Sequence, residues 1–290
     1  RDCGYRTTVI GAVNNFTQSV ELLDEWYKKY HKKENLINFE LGFHAEYTTK
    51  KEILEGIADL AEKYKAPVYT HNSESESEVA QCIERTKVTP TVYMDRLGIF
   101  NYGGGFYHCV HMTQNDLDIV KEHNISVITN PASNLKLASG IAPIDHMLKE
   151  GINLAIGTDG PASNNCLDMF REMFLVTALA KYRENDASAV DALEVLKMAT
   201  IGGAKAMNLT DCDVLAEGKE ADIIMIDLNQ PNMQPIHNIQ KNLVYSGSKQ
   251  NVKLTMVAGK ILYENGEFFI GTDAYKIYEK ANDIAERIVK

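Results

Sequence analysis

The chain has 290 residues with 30 Lys plus Arg against 40 Asp plus Glu, a net charge of −10, which excludes binding to a nucleic-acid backbone by overall charge. Hydrophobic residues make up 44% and charged residues 24%, an ordinary soluble composition sufficient for one large domain or a domain with a small appendage. The five cysteines (Cys3, Cys82, Cys109, Cys166 and Cys212) form no CxxC, which excludes a disulfide scaffold or a zinc finger, and no apolar run approaches the roughly 18–20 residues that cross a bilayer. A reducing cytoplasm, with no membrane and no nucleic-acid partner, is the expected setting.

In chain order, residues 7–12 (TTVIGA) read as a short strand, and residues 16–32 as a helix with the stripe Val20, Leu22, Leu23, Trp26 and Tyr27. Lys28-Lys29 and Lys32-Lys33 read as its solvated face. Residues 37–43 (INFELGF) predict a strand, 49–64 an amphipathic helix, 66–71 (APVYTH) a strand and 76–85 a helix. A strand at 105–111 follows three glycines, then come a helix at 114–123, a strand at 125–130 (ISVITN), a helix at 144–150 and a strand at 152–159 (INLAIGTD). Two long helices, 167–182 and 188–207, complete this part. Six strand-then-helix units imply a parallel sheet with helices outside. A barrel and an open doubly wound sheet both remain, although the latter lacks its usual GxGxxG turn. Beyond residue 209 the texture changes: 214–227 and 252–263 read as strands with turn signals at Glu217-Gly218 and Ala258-Gly259, 230–235 as a loop and 273–290 as a polar helix.

Metal-competent side chains fall at the ends of successive strands. His44 follows the strand at 37–43, His71 ends the strand at 66–71 with Glu74 three residues on, His108 and His111 lie in 105–111, and Asp159 ends 152–159 within GTDG. At that edge of a parallel barrel the strand ends converge on one cavity. A single strand-end histidine is more often structural. Three successive ones with a glycine-flanked Asp point instead to a site for Zn²⁺, or for Fe²⁺ or Mn²⁺, that activates water. His111, His31, His123, His146 and His237 read as structural or surface residues, Cys109 as packing, and the methionines of 198–207 as core. Asn130, Ser133 and Asn134 fit a turn or the rim of a site equally well.

THNSESESEV (70–79), YHCVHMT (107–113), NPASNLKLASGIAP (130–143) and GTDGPASNN (157–165) resemble signature stretches of the amidohydrolase superfamily, with YMDRLGIF (93–100) and GKEADIIMID (218–227) in support. The resemblance is to the branch that holds S-adenosylhomocysteine and methylthioadenosine deaminases, guanine deaminases and triazine hydrolases. It implies a (β/α)8 barrel with a small β-sandwich, one divalent metal and a small heterocyclic substrate. Residues 1–209 would be the barrel, 210–270 the C-terminal part of the sandwich and 271–290 a terminal helix. His71 and Asp159 would hold the metal, and Asp159 would also take a proton from the attacking water. Glu74 would move protons and contact the ring, His108 would polarise the scissile centre or orient the water, and His44 would contact the substrate. The expected reaction is deamination of an aminated purine nucleoside or related ring. Dechlorination of a triazine-like ring, action on a guanine-like ring, and a catalytically incomplete binding protein are the alternatives.

The sequence departs from the pattern twice. No HxH occurs, so strands one and two and further metal ligands are expected upstream of Arg1, in about 100 residues on the proportions of a full barrel. Six strands leave two open edges, so a complementing N-terminal segment or exchange within a homo-oligomer is the expected remedy. Arg6 stands near strand three, but VIGAVNN follows where a carboxylate-binding Arg would be found. The substrate is therefore expected to be adenosine, a small 5′-substituted adenosine or another aminated heterocycle.

Overall fold

A computed structural model describes residues 3–289, so the expected domain limits at Arg1 and Lys290 lie outside the described residues. Six parallel strands form a half-barrel in chain order: β1 (Thr7–Ile10), β2 (Ile37–Ala45), β3 (Val68–Asn72), β4 (Gly104–His108), β5 (Ile125–Thr129) and β6 (Leu154–Ile156). The order contains no reversal, which separates it from the doubly wound alternative. Helices α1 (Val20–Tyr30), α2 (Lys51–Tyr64), α3 (Glu76–Thr86), α4 (Pro90–Arg96) and α5 (Gln114–Glu122) occupy the first four crossovers. After β5 come α6 (Pro131–Lys136) and α7 (Ile144–Lys149), and after β6 come α8 (Pro161–Asn164), α9 (Met169–Glu184), α10 (Ala192–Lys197) and α11 (Gly203–Ala206).

β3, β5 and β6 are buried on both faces, as their unbroken apolar character predicts. Leu41, Phe106 and Ile125 on the sheet pack with Leu54, Ile57 and Leu117 from the helices, and each such side chain contributes roughly 1.5–3 kcal/mol on leaving water. Register leaves little freedom at β4. Gly104 has φ +149, and a Cβ there would meet the Val68 carbonyl oxygen at 1.8 Å. β2 carries an irregularity between Gly42 and Ala45, which places His44 outside the regular pleat beside Val13, whose carbonyl accepts its N–H at 3.0 Å.

Several expected elements are corrected. The first helix begins only at Val20, because Asn14 Oδ1 accepts the N–H groups of Phe16 and Thr17, and Ser19 caps the helix at Leu22. It ends at Tyr30, so Lys32, at φ +50, and Lys33 lie beyond it rather than on its face. Three short helices, α4, α6 and α8, were not expected; each starts with proline at its first turn but is too short to show a period. The expected long helix at 188–207 is divided by a wider π turn, Met198–Gly202, where Gly202 presses on the Leu154 carbonyl of β6. Met198 is core, whereas Met207 is 41% exposed. His31 is not a surface residue: it is half-buried, its Nδ1 lies 2.8 Å from the Phe39 carbonyl, and its ring stacks on Tyr27.

A four-stranded antiparallel sheet follows, with β7 (Ile223–Ile226), β8 (Val252–Val257), β9 (Lys260–Glu264) and β10 (Glu267–Phe268) in the order β10-β9-β8-β7. The expected strand at 214–227 shrinks to Ile223–Ile226, because Gly218 adopts φ +86 and Lys219 bonds locally to Ala216. Arg6 joins this sheet to the half-barrel. Its guanidinium donates to both carboxylate oxygens of Asp222, at 2.6 and 2.9 Å, a forked pairing that commits Arg6 to structure at the start of β1. A one-turn helix, α12 (Ile239–Lys241), lies in the β7–β8 connection, and α13 (Ala274–Val289) closes the described chain with none of its residues buried. Among the described residues, no helix is long and apolar enough to cross a membrane.

Candidate metal centre

Each strand-end residue singled out in the sequence leaves β2, β3, β4 or β6 at the same edge of the half-barrel. His71, His108 and Asp159 come together: one ligand-competent atom from each lies within 4.8 Å of the others. The backbone around them is unusual. Ser73 (φ +51), His108 (+72), Cys109 (+50) and Asp159 (+59) all occupy the left-handed region, which costs a non-glycine residue of order 1–3 kcal/mol. Four such residues at one sheet edge mark a place where the fold holds side chains against their local preference.

Hydrogen bonds decide which atoms face inward. His71 Nδ1 lies 2.6 Å from the His44 carbonyl oxygen, so Nδ1 carries the proton and Nε2 keeps its lone pair. The Thr48 hydroxyl donates to the Ala45 carbonyl at 3.1 Å, so it can only accept from His44 Nδ1, 2.9 Å away. His44 therefore also presents Nε2, with its ring centroid 5.1 Å from that of His71. His108 is 1% exposed, and its Nδ1 lies 2.7 Å from Asn134 Oδ1. Its Nε2 lies 3.8 Å from Glu74 Oε2, while Glu74 Oε1 accepts from Ser139 Oγ at 3.3 Å. Asp159 Oδ2 accepts from Ser133 Oγ at 2.7 Å and Ser163 Oγ at 2.5 Å, which leaves Oδ1 for other work.

Burial raises the Asp159 carboxyl, but Ser163, Ser133 and the Gly160 N–H outweigh it and hold the group below its ordinary 3.8. Burial lowers the basicity of His71 below the ordinary 6.5; the His108 and His44 rings act in the same direction, and the His44 carbonyl and Asp159 oppose them. At neutral pH the site thus offers a neutral imidazole and a charged carboxylate. Two imidazole nitrogens and a carboxylate oxygen, oriented by bonds to their opposite atoms, fit a divalent ion of the zinc type.

A pH dependence follows for the chain without metal. The unfolded state binds the His71 proton more readily than the folded state, so stability rises with pH up to the unfolded value of 6.5 and is lost as pH falls below it. The contribution of Asp159 is present above 3.8 and disappears only as pH drops through its lower folded value. Urea midpoints measured from about pH 7 to about pH 5 should therefore fall more in the parent chain than in His71→Gln. Equal slopes would contradict the assignment.

In sequence, Asn130, Ser133 and Asn134 fit a turn and a site rim equally well. The geometry places Ser133 and Asn134 against Asp159 and His108, whereas Asn130 packs over Gly157, where a Cβ would approach its Oδ1 to 2.3 Å. Ser139, Ser163, Asn164 and Glu172 were not foreseen. The only local sign was a serine four residues after Asp159 behind a helix-opening proline. His111 bonds the Ser139 carbonyl at 2.7 Å, in keeping with a structural role, and Cys109 is fully buried, with a thiol that burial pushes up.

A family model described as the amidohydrolase family matches residues 5–262. The chain is similar to a 5-methylthioadenosine/S-adenosylhomocysteine deaminase of Thermoanaerobacter pseudethanolicus, 39% identical over 267 residues, covering 90% of this chain and 62% of the relative. It is similar to a 5′-deoxyadenosine deaminase of Methanopyrus kandleri, 36% identical, covering 90% of this chain and 61% of the relative. The crystal structure of an adenosine deaminase from Xanthomonas campestris with bound zinc superposes with a TM-score of 0.91 at 33% identity, covering 98% of this chain and 66% of that one. The chain thus spans about three fifths of the length of the curated relatives it matches.

Proposed function

The chain belongs to the amidohydrolase family, and from that premise we propose that it carries the greater part of the active site of a zinc-dependent deaminase acting on adenosine-type nucleosides. The observation that carries this reading is the convergence of His71, His108 and Asp159 within 4.8 Å, with Glu74 beside them. The names of the relatives support the substrate class.

We assign His71 Nε2 and Asp159 Oδ1 to the ion, which when bound makes a water molecule deprotonable near neutral pH. Asp159 accepts the proton of the attacking water; its carboxylate stays charged because two serine hydroxyls and the Gly160 N–H stabilise it. His108, whose Nδ1–H donates to Asn134, accepts a hydrogen of that water through Nε2 and so orients it towards the amino-bearing ring carbon. Glu74, 3.8 Å from His108 Nε2, gives its proton to the ring nitrogen and then relays the remaining proton of the added hydroxyl to the departing amino group; the proton held by Asp159 restores Glu74 once ammonia has left. His44 turns Nε2 to the substrate, where a sugar hydroxyl can donate to it. The commitment of Arg6 to Asp222 removes the one strand-three arginine from substrate binding and favours a nucleoside without a carboxylate at its 5′ end.

The deciding experiment measures ammonia release from adenosine, 5′-deoxyadenosine and 5′-methylthioadenosine before and after dialysis against a chelator. Release that disappears on chelation and returns with one equivalent of Zn²⁺ is the expected outcome. Turnover that survives complete removal of metal would refute the proposal.

A further inference from the structure

The groups that surround the site are not held independently. One short segment, α6 and the turn that ends it, touches three of them. Ser133 donates to Asp159, Asn134 meets His108 Nδ1, and Ser139 donates to Glu74. The segment is itself fixed at both ends. The buried Glu172 of α9 accepts the Ala132 N–H at 3.0 Å with one oxygen and Asn164 Nδ2 at 2.8 Å with the other. Asn164 also donates to the Thr158 carbonyl at 2.6 Å, so the start of α6 is tied to the loop that carries Asp159. At the other end Ala138 takes φ +56 and the Ser139 N–H returns to the Asn134 carbonyl at 2.8 Å, a left-handed helix cap that delivers Ser139 to Glu74.

We infer that Asn134 is a positioning residue that sets the tautomer of His108, and that α6 through Ser139 is the element that fixes the relative placement of His108, Asp159 and Glu74. This rests on the reading of His108 as a working group of the site. A neutral imidazole has one N–H and one lone pair. Asn134 Oδ1 can only accept, and at 2.7 Å in a pocket where Asn134 is 2% exposed it places the proton on Nδ1. Nε2 is then a lone pair facing Glu74 and the donor cluster. With the amide turned over, Nδ2 would donate, the proton would move to Nε2, and His108 could not accept a hydrogen from water through that atom. Asn134 therefore decides whether His108 acts as acceptor or donor, without touching substrate itself.

The test uses imidazole ¹⁵N shifts of His108 in the parent chain, Asn134→Asp and Asn134→Leu, together with Zn²⁺ affinity by competition with a chelator. The parent should show Nδ1 protonated and Nε2 unprotonated, Asn134→Asp should retain that form, and Asn134→Leu should give a mixture. kcat should fall about 10–100-fold in Asn134→Leu with KM and Zn²⁺ affinity little changed, and Asn134→Asp should recover most of the loss. An Nε2-protonated parent, or a leucine variant with an unchanged tautomer, would overturn the inference. The parent measurement stands even if Asn134→Leu does not fold. Because the shifts need no turnover, the expected tautomer without ammonia release would support positioning and count against the deaminase reading alone.

Discussion

Replacing Asp159 by Asn should lower ammonia release by a factor on the order of 10⁴ or more and strip the protein of metal, while leaving the fold intact. The variant is nearly isosteric, and Ser133 and Ser163 can rotate their hydroxyls to accept from an amide as they now donate to Oδ2. What disappears is the charge. An amide oxygen is a poorer ligand than a carboxylate and cannot take a proton from water. Asp159 also holds its left-handed backbone, φ +59, a conformation that Asn tolerates better than most residues, so the loss is chemical and not structural. Metal content by mass spectrometry, ammonia release and thermal unfolding separate the chemical loss from a structural one. A metal-replete Asp159→Asn protein with more than a tenth of parental turnover would remove Asp159 from both of its roles.

Glu74→Gln should behave differently. We expect kcat to fall about 10²–10⁴-fold with metal content unchanged, because Glu74 stands next to the donor cluster and is not part of it. A glutamine keeps an acceptor for Ser139, 3.3 Å away in the parent, and keeps the side chain's shape, but it cannot pass a proton to the ring nitrogen. The contrast is diagnostic. Asp159→Asn should lose metal and rate together, whereas Glu74→Gln should lose rate alone. Full turnover in Glu74→Gln would show that the ring nitrogen receives its proton from another group.

The alternation of strands and helices was legible in the sequence because it is local. Apolar runs such as those at β3, β5 and β6 identify strands buried on both faces, and the residues that end them follow directly. Placing His44, His71, His108 and Asp159 at one edge needed only strand order and parallel direction. Helices this short left no period to read, so α4, α6 and α8 stayed hidden behind their opening prolines, whereas the turn signal at Glu217-Gly218 was legible and only its effect on the strand, which begins at Ile223, was not.

Which side chains are available for chemistry, and the order in which the chain presents them, can be read from the residues alone. How they meet depends on the tertiary fold: His108 lies with His71 and Asp159, its Nδ1 lies against Asn134 Oδ1, and Arg6 is held by Asp222. The reason is distance along the chain. Asn134 lies 26 residues from His108, Ser133 lies 26 from Asp159, and Ser139 lies 65 from Glu74. Hydrogen bonds of that span leave no periodic trace in sequence, because their geometry exists only after the sheet has curled and brought the strand ends together.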